Sequence, residues 1–272
     1  MKKILAIAVA TAISAPAMAD LTIGGNAEYK LSGGDVDTSS SLETNLTLTG
    51  TTEADGVSVT AFTEIEVVGA GDAGDADATA AASNVDIDDQ YIQIGVAGAT
   101  VTLAPQGGFA TKDAFGLGPD TAAQITPAYA ANDAERAADV AVDFTAGTVA
   151  VQIAGNIADS DEMSVYAATD VAGIALSGSY EDTGTETGYG LSASVVVADV
   201  TLGASYAAND SDESTSVLSA AYGDFAIASA SSEGTDDVYG TYTTSVGGAA
   251  LTLGAGSSDS TTKVVAKLAY SF

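Results

Sequence analysis

Cysteine and histidine are both absent from this chain of 272 residues, and only seven basic residues stand against 37 acidic ones. Without cysteine there are neither disulfides nor thiolate metal sites. Without histidine the commonest general base and the commonest transition-metal ligand are missing. The abundant serines therefore have no evident base to activate them as nucleophiles. Composition weighs against an enzyme. A formal charge of −30 repels nucleic acid, which is excluded as a partner, and attracts cations. An acidic surface that merely aids solubility would carry the same sign. Beyond Asp20 no run of 18 apolar residues occurs, so the chain lacks a helical membrane span.

What is present begins with a leader. Lys2 and Lys3 precede a short apolar stretch, Ile4 to Val9, and Ala17-Met18-Ala19 forms an A-x-A site ahead of Asp20. This is the layout of a secretory signal peptide. The expected organisation is a leader over residues 1–19, cleaved after Ala19, and one domain over 20–272.

In that domain apolar residues recur at every second position. Leu21, Ile23, Ala27, Tyr29 and Leu31 alternate with Thr22, Asn26, Glu28, Lys30 and Ser32. Leu42, Leu46 and Leu48 alternate with Glu43, Asn45, Thr47 and Thr49, and Val57, Val59 and Ile65 with Ser58, Thr60, Glu64 and Glu66. Period two means strands with one apolar and one polar face. The pattern predicts sixteen of them, near 21–32, 41–53, 57–68, 85–96, 99–105, 137–145, 148–157, 162–171, 174–182, 187–197, 200–208, 213–222, 225–232, 236–246, 249–257 and 261–272. The fourth is irregular, because Ile92, Ile94 and Val96 share their parity with Asp88 and Gln90.

The connections alternate in length. Tight pairs such as Asp55-Gly56, Ala97-Gly98, Ala146-Gly147, Ala172-Gly173 and Ala198-Asp199 follow even-numbered strands. Longer acidic stretches, such as Gly33–Ser40, Gly69–Asn84, Gly107–Arg136 and Asn209–Asp212, follow odd-numbered ones. Short turns on one side and long loops on the other are the habit of a transmembrane barrel. On the apolar parity, Tyr29, Tyr180, Tyr189 and Tyr206 fall near one set of strand ends, and Phe144, Phe225, Tyr270 and Phe272 near the other. Two aromatic girdles bounding an apolar band fit a bilayer. Backbone groups facing lipid must all be paired, so such a sheet closes. The expected fold is all-β: a transmembrane, antiparallel, up-and-down β-barrel of about sixteen strands, wide enough for water inside.

Three stretches carry a family resemblance: the last strand from Lys263 to Phe272 with its terminal Tyr-x-Phe, the block Val85–Ile92 followed by Ala99–Leu103, and Arg136–Phe144. With the strand count and the long third loop, they resemble the general diffusion porins of Gram-negative bacteria. That resemblance implies an outer-membrane homotrimer among lipids, passing small hydrophilic solutes and cations. It also implies a third loop, about Gly107–Arg136, folded into the lumen as a constriction carrying Lys112, Asp113, Asp120, Asp133, Glu135 and Arg136. Tyr270 and Phe272 are similar to the signal by which such barrels are recognised for assembly. The chain departs from the family at Ala104-Pro105-Gln106, where an arginine is common.

On the polar parity, Glu28, Lys30, Glu43, Glu64, Glu66, Lys263 and Lys267 are expected to line the pore, because the other face meets lipid. No cofactor is expected. Asp72, Asp75 and Asp77 could ligate Ca²⁺, but the full spacing of a calcium loop is missing and a solvated acidic loop is the simpler reading. The competing function is a secreted, acidic, β-rich surface or adhesive protein without a channel, which would share the leader, the strands and the charge.

Overall fold

In the computed structural model of the chain, the described residues are 20–35, 38–68, 84–105, 112, 138–157, 162–232, 235–258 and 261–272. Sixteen strands follow in chain order: β1 (Asp20–Gly34), β2 (Ser39–Ala54), β3 (Val57–Val68), β4 (Asn84–Val96), β5 (Ala99–Leu103), β6 (Val140–Ala146), β7 (Val149–Gly155), β8 (Glu162–Val171), β9 (Ile174–Thr183), β10 (Thr187–Val197), β11 (Val200–Asn209), β12 (Ser214–Tyr222), β13 (Phe225–Ser232), β14 (Thr235–Val246), β15 (Ala249–Ser258) and β16 (Thr261–Ser271). Each pairs antiparallel with its neighbours in sequence, and β1 with β16 closes the barrel. No helix among the described residues is long and apolar enough to cross a membrane, which says nothing against crossing by strands.

The alternation in sequence becomes a division between outside and inside. In β12, Leu218 is 65% exposed, whereas its neighbour Val217 is 3% exposed and Thr215 only 1%. Leu21, Ile23, Leu42, Leu191, Leu202, Phe225 and Ile227 are likewise exposed. A sheet that exposes large apolar side chains all around its outer face and turns Ser, Thr and carboxylates inward is built for an apolar solvent. The girdles lie on that outer face. Tyr180 pairs with Tyr189, whose ring centroid is 6.2 Å from that of Tyr206. At the other end Phe225 and Tyr242 lie 4.8 Å apart, and Tyr270 and Phe272 6.5 Å.

Seven two-residue turns close one end. Asp55-Gly56, Ala97-Gly98, Ala172-Gly173, Ala198-Asp199 and Gly247-Gly248 have positive φ at both positions, the signature of type I′ turns, whose twist matches the flanking strands. Gly147-Thr148 and Gly223-Asp224 have positive φ at the glycine alone, as in type II′. The third turn thus sits one residue later than Ala146-Gly147, because glycine takes the first central place. Ala198, at φ 48, holds a left-handed conformation that its Cβ disfavours. Ala198→Gly is expected to stabilise the refolded barrel by up to about 1 kcal/mol, read as a higher urea midpoint, whereas Ala198→Val should lower it.

The other end is less regular than the sequence pattern predicts. The connections at 233–234 and 259–260 are as short as the tight turns, so strict alternation of length is lost over the last four strands. Strands β5, β6 and β7 have 5, 7 and 7 residues, two or three fewer than the alternation suggests. Ala104 still donates to the Asp139 carbonyl at 2.8 Å, so pairing fades gradually beside the third connection. In β4 the irregular parity has a simple cause. The register against β3 shifts between Thr63, opposite Gln90, and Ile65, opposite Ile87. This β-bulge puts Val85 and Ile87 on the outer face before it and Ile92 and Val96 there after it, all four exposed.

Inside, two apolar clusters are buried among the described residues. Val217, Ala228, Ala230, Tyr239 and Val265 form one, across β12 to β16. Ala138, Ala141 and Ala154 form the other, with Tyr91 and Ala104 packed against it at the foot of the third connection.

Candidate pore lining

All seven wall residues expected from sequence lie on the inward parity, on four strands next to the β1–β16 seam. The register sets Glu28 opposite Glu43, and Lys30 opposite Lys267. Like charges face directly, and relief comes on the diagonal. The Lys267 ammonium meets Glu28 Oε2 at 2.8 Å, with both side chains 19% exposed. Glu43 instead accepts from the Asn45 amide at 2.9 Å. Glu64 and Glu66, opposite Thr47 and Asn45, extend the carboxylates onto β3. Lys263 lies higher on the seam, between Gly34 and Gly256. The inward ring of Phe62 stacks on Tyr91 at 4.8 Å beside this charged wall.

Of the six loop residues, Lys112 alone is described; Asp113, Asp120, Asp133, Glu135 and Arg136 lie outside the described residues, as do Asp72, Asp75 and Asp77. Lys112 is bound to the inner wall. Its backbone N–H donates to Gln152 Oε1 at 2.8 Å, and its ammonium is ion-paired with Asp143. The Gln152 amide donates to both Asp143 oxygens at 3.2 Å. Thr100, Asp143 and Gln152 are successive cross-strand neighbours. They fix the depth of Lys112, which sits level with Thr100, two residues beyond the Ala97-Gly98 turn. A recess of about 260 Å³ opens beside it, lined among others by Thr100, Thr145 and Tyr166.

Sequence reasoning did not single out Asp143 or Gln152 as site residues, nor the buried inward carboxylates Asp139, Glu181 and Asp237, of which Glu181 is 1% and Asp237 5% exposed. Asp139 accepts from the Ile157 N–H at 3.0 Å and so ties the end of β7 to the start of β6. The signal was available: each of these carboxylates or amides occupies the polar parity of an otherwise apolar or small-residue strand.

At the seam, Phe272 and Gly25 exchange backbone hydrogen bonds of 3.0 and 3.1 Å. A Cβ at Gly25 would collide with the Asn45 carbonyl oxygen and lie 2.8 Å from the Phe272 ring, so only glycine fits at this point of the seam. Among the described residues this arrangement carries no acid–base or nucleophilic set; it is a charged, water-accessible wall inside a closed sheet, suited to solvating ions and polar solutes in transit.

Comparison with known proteins agrees with that geometry. No curated protein sequence matches the chain. Among solved structures, a variant of the porin of Rhodobacter blastica aligns with TM-score 0.70 at 16% identity, covering 93% of this chain and 100% of the other. OmpT, an outer-membrane protein of Vibrio cholerae solved in a trimer form, aligns with TM-score 0.66 at 10% identity, covering 93% and 99%. A family model described as Gram-negative porin matches residues 6–272. The chain belongs to the Gram-negative porin family, and is an outer-membrane β-barrel channel protein.

Proposed function

We propose that the barrel is a water-filled, cation-preferring pore for passive diffusion of small hydrophilic solutes and ions, exported by a leader over residues 1–19 and narrowed by its third connection. The observation that carries the reading is the inward wall itself. Along β7 to β15 the described residues contain no Lys or Arg, while Glu162, Asp170, Glu181 and Asp237 face inward. Carboxylates in a low-dielectric enclosure raise the local cation concentration. The depth at which Lys112 meets Gln152 supports an inward course for the third connection, since a purely external loop would not reach the level of Thr100. A 30-residue connection is also rare unless functional.

Assembly as a homotrimer is part of the proposal. A tilted membrane strand needs roughly 9–11 residues, so β5 to β7 are too short to face lipid along their length, and cover from a neighbouring subunit would complete that wall. The adhesive alternative has no comparable support, because a secreted protein gains nothing from an exposed apolar outer face.

Reversal potentials under a KCl gradient in a planar bilayer test the selectivity. The pore is expected to prefer K⁺ over Cl⁻ in dilute salt and to lose the preference as salt rises, because the Debye length shrinks from roughly 30 Å at 0.01 M to about 3 Å at 1 M. Neutralising Asp113, Asp133 and Glu135 together should weaken the preference. Anion preference in dilute salt would refute the proposal, and an unaltered preference in the triple variant would move the filter from the loop to the wall.

A further inference from the structure

Carboxylates outnumber basic groups 37 to seven in this chain, so a lysine without a carboxylate partner is not explained by scarcity of acids. Among the described residues two inward lysines are in that position, Lys30 and Lys263, and both lie on the seam between β1 and β16. The carboxylates nearest in register are engaged elsewhere: Glu28 with Lys267, Glu43 with the Asn45 amide, and Asp35, next to Gly34, with the Thr262 N–H at 2.9 Å. Lys30 stands directly across the ladder from Lys267, whose charge Glu28 already answers, so the ammonium of Lys30 is the one left without a carboxylate. Both cross-strand neighbours of Lys263 are glycines, Gly34 and Gly256, so no neighbouring side chain on the ladder covers its ammonium. Beside Lys30 lie hydroxyls able to donate further hydrogen bonds: Ser41 opposite it, and the pair Ser32 and Ser39, joined at 2.6 Å.

We propose that Lys30 and Lys263, with the hydroxyls flanking Lys30, form an oxyanion-binding step on the lumen wall, which takes a phosphate group, free or carried on a solute, through an otherwise acidic pore. The inference rests on the reading that the lumen is the solute path. A phosphate presents several strong acceptor oxygens to ammonium and hydroxyl donors. The step makes the pore locally anion-tolerant at one seam while the remaining wall favours cations.

The test uses the purified full-length barrel in planar bilayers in dilute KCl, with inorganic phosphate titrated in one arm and a sugar phosphomonoester in the other. Native protein should show a saturable fall in K⁺ current with phosphate. Lys30→Gln and Lys263→Gln should each raise the half-effective concentration about tenfold, as expected for loss of a charge-assisted contact. Lys267→Gln, which removes a lysine already paired, should have a smaller effect, and Lys30→Arg should retain binding. An effect confined to the phosphomonoester would assign the site to solute-borne phosphate. A conducting native barrel without a saturable effect, or one equal in the Lys30→Gln/Lys263→Gln double variant, would overturn the step. A folded barrel that carries no current would instead overturn the channel reading beneath it. Heat-modifiable migration verifies folding of each variant, and a Gln variant that fails to fold leaves the native titration and Lys30→Arg to decide.

Discussion

Arginine in place of Leu46 is expected to cripple assembly of the barrel, and in place of Val59 to weaken it, whereas arginine at the adjacent Thr47 or Thr60 should leave it intact. Leu46 lies between Gly25 and Ile65, and Val59 between Thr52 and Ile94, all on the outer face. A guanidinium on that face costs roughly 2–4 kcal/mol near the bilayer midplane and less toward the strand ends, so Leu46, in the middle of β2, should show the larger effect and Val59, close to the Asp55-Gly56 turn, the smaller. Thr47 lies on the inner face opposite Glu64, where an arginine gains water and a carboxylate. The folded fraction by heat-modifiable migration, after refolding into lipid, measures the difference. Equal damage at Leu46 and Thr47 would refute the assignment of faces.

Deletion of Phe115–Ala130 should raise single-channel conductance severalfold and leave a folded barrel. The deletion spares Lys112, so the attachment to Asp143 and Gln152 on β6 and β7 is retained and only the span beyond it is lost. Conductance equal to that of the native protein would mean that the third connection lies outside the current path, and the constriction residues Asp113, Asp120, Asp133, Glu135 and Arg136 would lose their proposed role.

Most of the fold was legible because a barrel wall has one requirement repeated sixteen times: apolar outward, polar inward, at period two. Leu46 beside Thr47 reads the same in sequence and in space. What escaped was whatever local parity does not encode. The bulge at Thr63–Ile65 inverts the faces of β4 without altering composition, so Val85 and Ile87 fell off the parity of Ile92 and Val96. The shortness of β5 to β7 arises where pairing gives way to the third connection, and Ala138 or Asn156 would fit a longer strand equally well. The lining was half legible. Glu28 and Lys267 could be placed on the wall, but their diagonal pairing depends on a register between strands at opposite ends of the chain. Lys112 could be assigned to a loop, yet its contact with Gln152, 40 residues away, is a fact of tertiary structure.

That seam has a consequence for biogenesis. Every ladder but one joins strands adjacent in sequence. Hairpins of that kind form with short loop closure and little entropic delay, whereas the β1–β16 ladder must bring together residues separated by nearly the whole chain. The ion pair between Glu28 and Lys267, the lysines of the seam and the Gly25–Phe272 bonds all depend on this one late event. A nascent or partly assembled sheet therefore has an open edge and no enclosed conduit. Permeability arrives in a single step with sealing, so the cell envelope is spared leaky intermediates while the barrel is being made.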